Sequence, residues 1–365
     1  MTDTIRYGIV GCGMMGQEHI RNIALLEGAA VSAIAEPNDA MRAEAAALVP
    51  GVRAESSLDA LLGSDDVDAV VIAAPNHLHV DMLDRLAAER PVPVLVEKPL
   101  FTDSADQDRL VKLRTDYPAM MWVAMEYRYM PPIAAFLERA QEVTGGLQML
   151  TIREHRFPFL EKVGDWNRIN RNTGGTMVEK CCHFFDLMRL ALGSEPVSVM
   201  ASAGQAVNHL DESYANEVPD IWDHGYVIVD FANGTRGMLE LCMFADGSRY
   251  QEELSGVGPD GKIEAMVPGP VRFWPESLGP LPTPKVIISP RDREAHAPMD
   301  LEFPVDPALL EIGDHNGATF YQHQLFLKAL KNGGVPAVSL DDGAVAVRMG
   351  LAAQESAQSG KAVLL

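Results

Sequence analysis

RYGIVGCGMMGQEHIRNIALL, residues 6–26, decides the fold. Arg6–Val10 is a short apolar and aromatic run of strand length, and Gly16–Leu26 repeats its apolar positions at helical spacing. Between them stands Gly11-Cys12-Gly13-Met14-Met15-Gly16, a GxGxxG turn. Glycines there permit a tight turn and close backbone approach, and the helix start that follows presents bare N–H groups to an anion. The hexamer alone is weak, because glycine-rich stretches occur by chance. Placed between a strand and a helix, it reads as the pyrophosphate site of a dinucleotide. Glu36 lies 20 residues beyond Gly16 at the end of the next apolar run. A carboxylate there accepts ribose hydroxyls and repels a 2′-phosphate, which favours NAD over NADP, although Arg42 close by leaves room for NADP.

Outward from this unit the alternation continues. Val31–Ala35, Ala69–Ala73, Val92–Val96 and Met121–Ala124 read as strands, and Asp39–Leu48, His77–Ala88 and Ala105–Thr115 as helices, with Ser57 and Asp103 suited to N-caps. Such alternation predicts a parallel sheet covered by helices, a Rossmann domain over residues 1–126. After Pro131-Pro132 the texture changes. A helix runs to about Thr144 and stops at Gly145-Gly146. Leu147–Phe157, Val197–Ala206, Tyr226–Phe231, Thr235–Phe244 and Gln251–Val257 read as strands, and Asn233-Gly234 as a hairpin turn. A helix at Thr176–Leu192 interrupts them, and helices return at Ala318–Lys331 and Asp342–Ser359. Val267–Pro307, rich in proline, reads as a surface excursion. Residues 127–365 are thus expected to form an α+β domain with an open, mainly antiparallel sheet, whose last helix can pack back on the first domain. Tyr226–Val229 is apolar at successive positions, so both sheet faces need cover, and a second subunit can supply one of them. A homo-oligomer, dimer or tetramer, is the expectation.

The formal net charge of −21 repels nucleic acid and anionic membranes. The stretch MTDTIRYGIVGCG shows no leader pattern, no apolar run is long enough to span a bilayer, and the four cysteines are few and set in apolar runs. A reduced, cytoplasmic chain fits these features. Cys181-Cys182-His183 lacks a second ligand pair at zinc spacing, so no metal is expected.

Two further loops sit at strand C-termini, where open α/β sheets bind ligands: Ala74-Pro75-Asn76-His77-Leu78-His79 and Glu97-Lys98-Pro99. Taken in order, GCGMMG, APNHLH, VEKP, YRYMP (127–131) and GGTMVEKCCHFFD (174–186) resemble the Gfo/Idh/MocA family, the group of glucose–fructose oxidoreductase and inositol dehydrogenase. The resemblance runs from residue 5 to the end, including a closing Gly-x-x-Pro…Asp-Gly…Ser…Gly-x-x-Val pattern from Gly334 to Val363. It implies hydride transfer between NAD or NADP and a sugar, cyclitol or related polyol. It also implies an open sheet that mediates oligomerisation. The EKP lysine maps onto Lys98, and the acid and histidine of the second domain onto Glu179 and His183. The family more often carries aspartate and, two residues later, glycine where this chain has Glu179 and Cys181.

The chemistry fits those residue types. An imidazole titrates near neutrality and suits proton transfer. Four residues apart on one helix, Glu179 and His183 are expected to share a face, the carboxylate fixing the ring. Lys98 can stabilise a developing alkoxide. Gly11, Gly13, Met14, Met15, Gly16, Glu36, Ala74, Pro75, Asn76, His79, Glu97, Lys98 and Arg128 are the cofactor candidates. Glu154, Arg156, Trp166, Asn167, Asn170 and His315 join Lys98 and His183 as substrate candidates, with Tyr127, His155 and Asn172 beside them. Each also has an ordinary structural use, as ion pair, core aromatic or turn former. Two other activities fit the same pattern: an NAD-using glycosidase or lyase that regenerates its cofactor, and a non-catalytic NAD-binding regulator.

Overall fold

The computed structural model describes residues 4–292, 294 and 297–365. Residues 1–3 of the amino-terminal stretch, and 293, 295 and 296 within the proline-rich stretch, lie outside the described residues. Six parallel strands form the first sheet: β1 (Ile5–Val10), β2 (Ala29–Ala35), β3 (Arg53–Glu55), β4 (Ala69–Ile72), β5 (Val94–Glu97) and β6 (Met121–Ala124). Their order is β3-β2-β1-β4-β5-β6, so the direction of winding reverses between β1 and β4. Crossing chains leave a crevice at that reversal. The connecting helices are α1 (Met14–Ala24), α2 (Asp39–Leu48), α3 (Leu58–Leu62), α4 (His79–Glu89) and α5 (Gln107–Asp116). Ser57 caps α3 by accepting from the Ala60 amide, and Asp103 caps the turn before α5. Strands β4 to β6 are buried at every position, as a sheet covered on both faces requires.

The second half holds α6 (Pro131–Thr144), β7 (Met149–His155), α7 (Asn170–Thr173), α8 (Thr176–Glu179), α9 (Cys182–Leu192), β8 (Pro196–Gly204), β9 (His224–Phe231), β10 (Arg236–Cys242), β11 (Glu252–Gly258), β12 (Gly261–Val267), β13 (Lys285–Pro290), β14 (Met299–Glu302), α10 (Pro307–Ile312), α11 (Ala318–Asn332), α12 (Leu340–Ser359) and β15 (Val363–Leu364). Its nine strands run β14-β13-β12-β11-β7-β10-β9-β8-β15, antiparallel except for the parallel pair β7 and β10. Helices α6, α9 and α12 cover the inner face. On the outer face Met149, Met200, Tyr226 and Ile228 are exposed.

Two expectations need correction. Val267–Pro307 is not merely an excursion, because β13 and β14 extend the sheet there, Val286 and Ile288 pointing inward. The helix expected at Thr176–Leu192 is broken at Lys180-Cys181. The Cys181 amide reaches back five residues to the Thr176 carbonyl (3.4 Å), a widened turn.

Candidate active site

The C-terminal ends of β1, β2, β4, β5 and β6 form one wall of a cleft of about 710 Å³, and segments of the second half form the other. Gly11 adopts φ +86°, and a Cβ there would lie 2.6 Å from the Ala73 carbonyl oxygen. A Cβ on Gly16 would fall 2.0 Å from the Gly11 carbonyl oxygen, so α1 docks on the turn only through glycine. Gly13, Met14 and Met15 line the cleft, while Gly16 shapes the turn from behind. Helix α1 has neither a side-chain cap nor an acidic residue in its first turn. Its first amides suit an anion, and the cradle fits a dinucleotide pyrophosphate.

Glu36 lines the same cleft. Its Oε2 accepts the Cys12 amide (2.8 Å) and its Oε1 accepts the Asn38 amide (2.9 Å). Arg42 is committed elsewhere, donating to the Glu36 carbonyl (2.6 Å) and pairing with Asp39. Ala74, Pro75, Asn76 and Glu97 also line the wall.

His79, Arg128, Asn170 and Glu154 do not. His79 is buried with its ring nitrogens 2.8 and 3.0 Å from the Pro99 and Ala74 carbonyls, tying the two strand-end loops together. Arg128 is locked onto Asp186 and the Ala337 carbonyl. Asn170 bonds Asp220 through its amide and its side chain. Glu154 is fully buried and pairs with Lys180 at 2.8 Å and Arg156 at 3.5 Å. In each case the polar group satisfies a partner behind the wall.

Lys98 projects from the end of β5, and its Nζ donates to the backbone carbonyl of Glu179 (3.1 Å). The break after α8 leaves that carbonyl open. Burial works against the Lys98 charge, but Cys182, Glu126, Glu179 and Glu97 around it outweigh burial and hold its ammonium above the ordinary lysine range. Glu179 is held above the usual carboxylate range, chiefly by burial, and its Oε2 has no hydrogen-bond partner among the described residues.

His183 lies in the cleft wall, stacked on Tyr127 with ring centroids 4.1 Å apart and planes within 5°. Burial first, then Lys98 and Lys180, push its imidazole well below the ordinary histidine range, so it rests neutral. Among the described residues no hydrogen bond or ion pair joins Glu179 to His183. The broken helix has removed the shared face expected for them, and the nearest carboxylate is Glu126, whose Oε1 is 3.5 Å from His183 Nε2. His315 stands beside it, its Nδ1 on Glu18 (3.0 Å). Arg156 lies over the Phe157 ring (4.3 Å), and Trp166 and Asn167 complete the far wall, Asn167 bonding the Leu160 carbonyl.

Among the cleft residues that escaped the sequence reading are Glu126, Lys162 and Lys180. Glu126 follows β6 directly, so its place on the ligand edge of the sheet was a usable signal. Lys180 donates to the Tyr127 hydroxyl (2.5 Å), a contact between distant segments with no local signature. Among the described residues no His, Cys, Asp and Glu cluster could hold a metal ion, and no helix is long and apolar enough to cross a membrane.

Comparison with known proteins agrees with this architecture. Residues 5–125 match the NAD-binding Rossmann fold of the Gfo/Idh/MocA oxidoreductase family, and residues 140–365 match its C-terminal alpha/beta domain. The chain is 36% identical over 280 residues to the inositol 2-dehydrogenase of Leifsonia xyli subsp. xyli, covering 76% of this chain and 77% of that one. It is 27% identical over 272 residues to the inositol 2-dehydrogenase of Rhizobium meliloti, with 73% and 77% covered. Among solved structures, levoglucosan dehydrogenase in complex with NADH and levoglucosan superposes with a TM-score of 0.82 at 21% identity over 99% of each chain. The myo-inositol 2-dehydrogenase of Lactobacillus plantarum gives 0.76 at 20% identity over the whole of both chains. At those identities the structures share the fold.

Proposed function

The chain belongs to the Gfo/Idh/MocA oxidoreductase family, and from that premise we propose that it oxidises or reduces a secondary alcohol of a cyclitol or sugar with NAD. The observation that carries this reading is the convergence of Lys98, Glu179 and His183 on the cleft that also presents the glycine turn and Glu36. The turn Gly11–Gly16 and the start of α1 would hold the pyrophosphate, and Glu36 would take the ribose hydroxyls in preference to a 2′-phosphate. Ala74, Pro75, Asn76 and Glu97 would flank the cofactor. When bound, NAD supplies the hydride acceptor.

Lys98 donates to the substrate oxygen and lowers the pKa of the hydroxyl it touches. His183, neutral at rest, takes that hydroxyl proton. Glu179, Arg156 and Asn167 offer hydrogen bonds to the remaining hydroxyls, and Trp166 a flat apolar surface for the carbon ring. The matched relatives named inositol 2-dehydrogenase favour a cyclitol as the substrate class. The exposed apolar row on the outer sheet face supports a homo-oligomer, dimer or tetramer, assembled there.

A panel of inositols, monosaccharides and glycosides, each followed for NAD⁺ reduction by absorbance, tests the activity. NADH accumulating with a cyclitol or sugar supports it. Product formed without net NADH would assign the cleft to a lyase or glycosidase instead.

A further inference from the structure

We propose that Glu126 receives the proton that His183 releases, and that His315 is its outlet to solvent. The inference rests on the assignment of His183 above. Glu126 is 1% exposed, at the end of β6, and neither carboxylate oxygen has a hydrogen-bond partner among the described residues. A buried carboxyl group left without donors is costly, so its retention points to a use. It stands between two imidazoles, Oε1 lying 3.5 Å from His183 Nε2 and 3.9 Å from His315 Nε2. The first ring is 1% exposed, the second reaches solvent at its 19% exposed side chain.

The groups facing Glu126 set its proton affinity. Burial, then Glu97, push it up to about 7, against the pull of His315 and Lys98. Cys182 and Tyr129 also feel its charge. His315 is resisted by burial, but Glu18 and then Glu126 raise it to about 9. His183 is too acidic as an imidazolium to keep a second proton. It need not keep one. Nε2, the ring nitrogen not sealed off by protein, takes the substrate hydroxyl proton and hands it on to Glu126 Oε1, so the ring returns at once to its neutral form. Glu126, now a neutral acid, passes the proton to His315 after that ring has released one to water. The balance is one proton from substrate to solvent, and reduction of the ketone runs the path backwards.

The test combines a titration with a rate profile. In histidine-¹⁵N-labelled holoenzyme without substrate, the His183 and His315 ring signals should shift with a midpoint near pH 7, and Glu126→Gln should abolish that shift. An identical titration in Glu126→Gln overturns the proposal. In the wild type, kcat for oxidation should fall as pH drops through about 7, because the carboxylate is the accepting form, and kcat for reduction should fall as pH rises through it. Glu126→Gln should lower kcat about 100-fold, the low end of what a general acid–base group contributes, leave KM for NAD unchanged and remove that limb. Glu126→Asp should restore part of both. Should Glu126→Gln fail to fold, His315→Gln carries the test: losing its positive charge moves the limb to higher pH, and an unmoved limb overturns the outlet. Wild-type turnover in His183→Ala would instead strike the reading of the site itself.

Discussion

His19, on α1, holds Glu97 at the end of β5, its Nε2 3.0 Å from the carboxylate Oε1. His323 on α11 meets the ring's other nitrogen, its Nε2 2.8 Å from His19 Nδ1, and so holds the imidazole from behind. The helix behind the glycine turn thus anchors the residue before Lys98. Burial favours the neutral acid of Glu97, but the bond and charge of His19 hold the carboxyl below its ordinary range. His19→Leu should cost about 1.5–3 kcal/mol, the worth of a hydrogen bond to a charged group, measured by chemical denaturation. An unchanged unfolding midpoint would show that the pair adds nothing to the fold.

The Glu18–His315 pair predicts how stability depends on pH. Burial resists ionisation of Glu18, yet His315 and Thr319 bring it down to about 2, while His315 rises to about 9. A depressed carboxylate contributes stability above its unfolded pKa and loses it as pH falls toward 2. A raised imidazole contributes fully below about 6.5 and loses it as pH rises through 9. The pair is one interaction seen from both ends, on the order of 3 kcal/mol. The Tm difference between wild type and Glu18→Gln should be widest between about pH 4.5 and 6.5 and shrink on either side. A difference constant across that span would remove the pair from the stability of the fold.

Arg128 shows where sequence reasoning runs out. It sits in YRYMP, beside the cleft in sequence, and reads as a cofactor contact. Its guanidinium instead meets Asp186, which does not line the cleft and lies 58 residues along the chain. Arg128→Ala strands a buried carboxylate and should destabilise by about 3–5 kcal/mol while leaving NAD affinity unchanged. Weakened NAD binding in a variant that stays folded would return Arg128 to the cofactor site.

Legibility followed the range of the interaction. The parallel sheet, the glycine turn, the caps at Ser57 and Asp103 and the Asn233-Gly234 hairpin depend on neighbours in sequence, and all could be read there. Strand β12 alternates Ile263, Ala265 and Val267 inward, a period-two signal that was available. Strand β13 was hidden by Pro280, Pro282 and Pro284 just before it. The break at Lys180-Cys181 depends on tertiary packing: α12 presses so close that a Cβ on Gly350 would meet the Met177 carbonyl at 2.4 Å. No local pattern records that contact.

In the proposed reaction Lys98 would present its charge to the substrate oxygen. Lys98→Met keeps the stem and removes the donor. It should lower kcat about 10²–10³-fold, the loss typical of one oxyanion donor, with NAD affinity nearly unchanged and Tm lowered, because the Glu179 carbonyl loses its donor and the carboxylates around Lys98 lose a cation. His183→Ala should lower kcat by about 10²–10⁴-fold on the same background. Full turnover in Lys98→Met would show that the alkoxide is stabilised by another group.

On the proposed function, Glu36 would govern cofactor choice, and its two bonds to backbone amides prepare it for that role. Held by the Cys12 and Asn38 amides, the carboxylate is oriented before any ligand arrives, and little rotamer freedom remains to be lost on binding. Removing it has two consequences. The ribose hydroxyls lose an acceptor, which weakens NAD, and a 2′-phosphate loses a repelling charge, which spares NADP. Arg42, anchored on the Glu36 carbonyl and Asp39, stays available to that phosphate only by giving up those bonds. Glu36→Ala should therefore raise the Kd for NAD more than that for NADP, read by cofactor fluorescence titration. Were the ratio of the two constants the same in variant and wild type, the preference would have to come from elsewhere in the pocket, with Arg42 the next residue to replace.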